Sequence, residues 1–128
     1  MREALLNGPA EYIRYGDWVH DSGYACTQEI LACPERPTAI FAMNDLMAAG
    51  CIHALSEAGL SVPGDMAVAG FDNRESARYL NPPLTTVALP TTEIGVRAAK
   101  RILACIQNPD APPQREIVEC SIIERESV

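Results

Sequence analysis

Thr38-Ala39-Ile40-Phe41-Ala42-Met43 is a nearly continuous apolar run that ends on Asn44-Asp45. Lacking polar alternation, it predicts a parallel strand buried on both faces. Asn44 predicts a helix start, because its side chain accepts a free backbone N–H of the first turn. Met47, Cys51, Leu55 and Ala58 follow at helical spacing, and Gly59 then Leu60 give the expected stop. Strand and helix thus follow each other directly, the repeating unit of a parallel sheet covered by helices.

The flanks carry the same alternation. On the N-terminal side, Glu11 to Tyr15 is a short strand candidate, and Asp21 or Ser22 is placed to cap a helix running to about Cys33. On the C-terminal side, Ser61 to Asp65 predicts a turn and Met66 to Phe71 a second buried strand that stops at Asp72-Asn73. Asn73 to Leu80 has room for a short helix, and Leu84 to Leu89 predicts a strand. Thr91 is placed to cap a long helix with Ile94, Ala98, Ile102 and Cys105 as its buried stripe. Glu116 to Glu119 and Ser121 to Glu124 predict two short final strands.

Composition bounds the function. The chain has 128 residues, 48% hydrophobic and 21% charged, which suits one globular domain or part of one. Its net charge of −7 argues against nucleic-acid binding by this stretch, since phosphate contacts need clustered Lys and Arg. No apolar run reaches the roughly 20 residues of a membrane-spanning helix, and no secretory leader is evident, so a cytoplasmic location without membrane contact is expected. The five cysteines have irregular spacing and no C-x-x-C, which predicts reduced, mostly packed thiols and no metal site. No phosphate-binding loop, nucleophile elbow or zinc motif occurs, so neither a cofactor nor catalysis is expected. His20 and His53 fall on different elements without an evident partner. An α/β enzyme using Asp72 as a base would lack a second catalytic group.

What remains is positional. Ligands of open parallel sheets bind outside the carboxyl ends of the strands. Asp17-Trp18, Asn44-Asp45 and Asp72-Asn73 each end a strand candidate. An indole can stack on the C–H face of a sugar, and carboxylate and carboxamide groups can hold vicinal hydroxyls. Plainer roles stand beside these: Trp18 as core, Asn44 as a helix cap and Asp72 as a turn former.

Several stretches resemble LacI/GalR-family transcriptional regulators. They are Arg36-Pro37-Thr38-Ala39-Ile40-Phe41 with Asn44-Asp45-Leu46-Met47-Ala48-Ala49-Gly50, then Val68-Ala69-Gly70-Phe71-Asp72-Asn73, Pro83-Leu84-Thr85-Thr86-Val87, and Arg125-Glu126-Ser127-Val128. They occur in family order over about residues 16–128. The resemblance implies an α/β fold: a parallel sheet with flanking helices, part of a periplasmic-binding-protein-like two-lobe effector domain. It implies that residues 1–87 belong to the C-terminal lobe, that 88–119 supply a crossover helix and strand to the N-terminal lobe, and that 120–128 return.

It also implies a small-molecule effector, a sugar or nucleoside-like compound held by Trp18, Asn44 and Asp72. Leu89 stands where the family often has a polar contact. A homodimer is implied through Leu46, Ala49 and Gly50. Operator DNA would be reached only through a helix-turn-helix domain that this stretch lacks. A free-standing sugar-binding protein on the same fold is the alternative; the absent leader and the five cysteines speak against it.

Overall fold

Three of the apolar runs become neighbouring strands of one sheet in the computed structural model, which describes residues 10–128. The strands are β1 (Ala39–Phe41), β2 (Ala67–Asp72), β3 (Thr85–Ala88) and β4 (Ser121–Ile123), in the order β1-β2-β3-β4. The helices are α1 (His20–Leu31), α2 (Asp45–Glu57) and α3 (Thr91–Gln107), with 3-10 turns at Ala10–Tyr12 and Glu75–Tyr79. β1, β2 and β3 are parallel, with Phe41 opposite Ala69 and Asp72 opposite Ala88. β4 runs antiparallel to β3, so the sheet is mixed rather than wholly parallel.

Local chemistry sets the ends of α2. The Asn44 Oδ1 accepts the Met47 amide at 2.8 Å, the predicted cap. At the other end Gly59 takes φ 72, a conformation costly for a residue with a Cβ, and the Leu60 amide reaches the Leu55 carbonyl at 2.9 Å. α2 packs on the sheet and α1 packs on α2. Leu55, Met66, Val68 and Leu84 are fully buried between α2 and the strands. Each contributes on the order of 1.5–3 kcal/mol by leaving water.

The C-terminal residues close the sheet. Ser127 is fully buried; its Oγ accepts the Thr85 amide at 2.8 Å and donates to the Val68 carbonyl at 2.6 Å. The Val68 amide donates to the Ser127 carbonyl at 2.8 Å. One serine thereby supplies three bonds to β2 and β3.

Several expectations are corrected. Glu11 to Tyr15 forms no strand; it holds the end of a 3-10 turn, and β1 pairs only with β2 among the described residues. The α1 N-cap is Val19, not Asp21 or Ser22; the Ser22 hydroxyl accepts the Asp17 amide and donates to the Val19 carbonyl instead. Thr91 is the first residue of α3 rather than its cap, and Pro90 precedes it without a capping side chain. Glu116 to Glu119 forms no strand. α3 buries none of its residues, so Ile94, Ala98, Ile102 and Cys105 form an exposed stripe. β1 is not buried on both faces either, for Phe41 is 55% exposed. Of the five cysteines only Cys51 is buried, and burial pushes its thiol up in pKa; Cys105 and Cys120 are exposed.

Candidate functional site

The sheet register brings Asn44 and Asp72 level. Phe41 faces Ala69, and each candidate lies three residues beyond its member of that pair, Asn44 beyond the carboxyl end of β1 and Asp72 as the last residue of β2. Ala88 lies beside Asp72, so Leu89 continues the same edge on the neighbouring strand. Trp18 joins them through Asn44, whose Nδ2 donates to the Trp18 carbonyl at 2.9 Å. All three candidates therefore meet at one edge of the sheet.

Their exposure separates their roles. Trp18 is 59% exposed, so it is not a core residue and its indole is open to solvent. Asn44 is buried, and both ends of its carboxamide are engaged, one as the α2 cap and one on Trp18. The Asp72 side chain is partly exposed, with Arg74 Nε 3.8 Å from its Oδ2. Asp17, exposed beside Trp18, has its carboxyl held below the usual range, chiefly by the Ser22 hydroxyl.

Backbone strain collects here. Among the described non-glycine residues, positive φ occurs at Trp18 (73°), Asp72 (109°) and Asn73 (53°). Such conformations cost about 1–3 kcal/mol each and persist only where the surroundings over-determine them. The surroundings do so around Asp72. The Arg74 amide donates to Asp45 Oδ2 at 2.6 Å, and the Asn73 amide donates to Thr86 Oγ1 at 3.3 Å. The Arg125 Nη2 donates to Asn73 Oδ1 at 2.7 Å. Sequence reasoning missed Asp45, Thr86 and Arg125 as supports. Asp45 and Arg125 lay inside quoted motifs, but their partners are 29 and 52 residues away.

The other named residues fall on the helices. Leu46 and Ala49 are partly exposed on α2. Gly50 is buried where α1 crosses, and a Cβ there would meet the His20 carbonyl and the Tyr24 amide. It is thus a close-approach residue within the chain, not part of a free face. The two histidines do have partners: their rings lie 5.4 Å apart, and His53 lies 5.2 Å from Tyr24. Among the described residues, no group of three His, Cys, Asp or Glu is arranged to hold a metal ion. No helix there is long and apolar enough to cross a membrane.

The periplasmic binding protein-like domain family matches residues 1–128. The HTH-type transcriptional repressor PurR of Escherichia coli is 42% identical over all 128 residues. The chain spans about 38% of the length of that repressor. A putative transcriptional regulator LacI from Bacillus cereus subsp. cytotoxis superposes with a TM-score of 0.89 at 31% identity, over 94% of this chain and 43% of that one. The lac repressor dimer bound to operator and the anti-inducer ONPF superposes with a TM-score of 0.79 at 32% identity, over 88% of this chain and 39% of that one. By sequence and by fold, the chain belongs to the periplasmic binding protein-like domain family, as part of an effector domain of the LacI type.

Proposed function

We propose that this chain forms the effector-binding edge and part of the dimer face of a LacI-type transcriptional regulator. The observation that carries this is the meeting of Trp18, Asn44 and Asp72 at one sheet edge, two of them in strained backbone. The indole of Trp18 stacks on the ring of a carbohydrate or nucleoside-like effector, and the Asp72 carboxylate accepts its hydroxyls. Asn44 holds Trp18 in place and has one N–H left for the ligand. No group here is disposed as a nucleophile with its base, which suits binding rather than catalysis.

Residues 1–87 and 120–128 belong to one lobe and 88–119 reach a second. The lack of any buried residue on the amphipathic helix α3 supports this division, since its apolar stripe then packs on the other lobe. Leu46 and Ala49 lie on the dimer face, with Gly50 setting how closely α1 approaches behind it. Effector binding changes the lobe arrangement and so the affinity for operator DNA, which a separate domain of the regulator contacts.

Calorimetric titration of the intact regulator with ribose, cellobiose and adenosine tests the site. Saturable binding of one probe, lost in Trp18→Ala and in Asp72→Ala, is expected. Binding untouched by both substitutions would place the effector elsewhere.

A further inference from the structure

Asp45 is a carboxylate with almost no access to water, 2% exposed, at the first position of α2. A buried carboxylate needs hydrogen bonds to offset its lost hydration. It has them at both oxygens. Oδ1 accepts the Thr86 hydroxyl at 2.5 Å and Oδ2 accepts the Arg74 amide at 2.6 Å. Gly70 of β2 makes room for it, because a Cβ there would collide with Oδ1. A group so enclosed cannot touch a ligand in the cleft.

What it touches is the turn after β2. Arg74 follows the two consecutive residues with positive φ, Asp72 and Asn73. Thr86 Oγ1, bound to Asp45 on one side, accepts the Asn73 amide on the other. Asp45 therefore fixes the amide that closes the strained turn and orients the hydroxyl that fixes the amide inside it. The turn's remaining polar handle, Asn73 Oδ1, is held by Arg125. Without these bonds the backbone of Asp72 would relax to negative φ and its carboxylate would swing from its place on the edge.

The geometry points to Asp45, acting with Thr86, as the positioning residue that holds Asp72 in its ligand-facing conformation. This rests on the effector reading of Asp72 given above. Losing one Asp45 bond frees the turn before it unfolds the domain.

The test uses the intact regulator as wild type, Asp45→Asn, Thr86→Val and Thr86→Ser. The readouts are amide hydrogen exchange at Asn73 and Arg74, thermal melting, and titration with ribose, cellobiose and adenosine. Asp45→Asn keeps one acceptor but replaces the other oxygen with a donor. It is expected to speed exchange at least tenfold at Arg74 or at Asn73, according to which partner the carboxamide nitrogen faces, and to weaken binding of the responding probe at least tenfold, with a melt that stays cooperative. Thr86→Val should act likewise at Asn73, and Thr86→Ser should retain wild-type exchange and affinity. Unchanged exchange at both Arg74 and Asn73 in Asp45→Asn overturns the proposal. So does a lowered melting temperature with unchanged affinity, which would make Asp45 a structural residue only. If no probe binds the wild type, the effector reading fails by itself, and exchange at Arg74 and Asn73 still decides whether Asp45 holds the turn.

Discussion

Asn44 ties Trp18 to the start of α2: its Nδ2 donates to the Trp18 carbonyl at 2.9 Å while its Oδ1 caps the helix through the Met47 amide at 2.8 Å. One side chain therefore links helix stability to the placement of the indole. Asn44→Ala should cost about 0.5–2 kcal/mol from the cap alone. Asn44→Asp keeps the capping acceptor, loses the donor to Trp18 and sets a carboxylate oxygen against that carbonyl. Melting and effector titration of both variants in the intact regulator separate the two roles. If Asn44→Asp matches wild type in affinity, the tie to Trp18 has no part in binding.

Asp72 combines a partly exposed carboxylate with a φ of 109°. Asp72→Ala should lose roughly 1.5–3 kcal/mol of effector affinity, the usual worth of a hydrogen bond to a charged group. Asp72→Gly should lose the same affinity but raise stability, relieving about 1–3 kcal/mol of strain. Opposite movements of affinity and melting temperature are the signature. Unchanged affinity in both variants would take Asp72 out of the site.

Ser127→Ala leaves the buried Thr85 amide without an acceptor and the Val68 carbonyl without one of its donors. Each such group costs about 1–3 kcal/mol. Chemical denaturation should show a large loss with an unchanged slope. A loss below 1 kcal/mol would mean that water reaches both groups.

Ala49 lies partly exposed on α2, one helical turn before His53. On the proposed dimer face, Ala49→Glu should leave the intact regulator monomeric where the wild type sediments as a dimer. A two-fold axis would set two such carboxylates close together in an apolar contact. A dimer unaltered by this change would leave that face as ordinary solvent-facing surface.

Residues 1–128 expressed alone should be poorly soluble and bind a dye for exposed apolar surface. Ile102 is 61% exposed and Ile106 69%, on a helix with no buried residue. Each uncovered isoleucine forgoes on the order of 1.5–3 kcal/mol, a large share of a domain's roughly 5–15 kcal/mol. A sharp melt without dye binding would show that the stripe finds cover within the chain.

The parts of the fold that depend on neighbours in sequence were legible. The Asn44 cap, the Gly59 stop and the apolar runs that became β1, β2 and β3 are all local signals. The direction of β4 was not legible, because short strands read alike in either direction and pairing is decided by Val87 meeting Ile122 across the sheet. The stripe of α3 was read correctly as amphipathic and wrongly as buried, since periodicity shows a face and not its cover. At the candidate site, Asn44 and Asp72 were legible as the ends of β1 and β2; Trp18 was placed by a strand over Glu11 to Tyr15 that does not form, and it stands beside them through its bond to Asn44. Their supports were not: nothing local to Asp45 reveals that Arg74 and Thr86 would be its partners.

Ala88 and Ser121 are register partners on adjacent antiparallel strands. For the sheet, everything from 89 to 120 is one long detour between two residues that already stand side by side. Replacing that detour with a two-residue turn such as Asn-Gly would join them as an ordinary hairpin. The closure entropy saved would be about 2.5 kcal/mol, at roughly 0.6 kcal/mol for each doubling of loop length. The sheet that positions Asn44 and Asp72 is in this sense detachable: its four strands are built without the excursion, which makes a minimal version carrying the proposed ligand edge an accessible design.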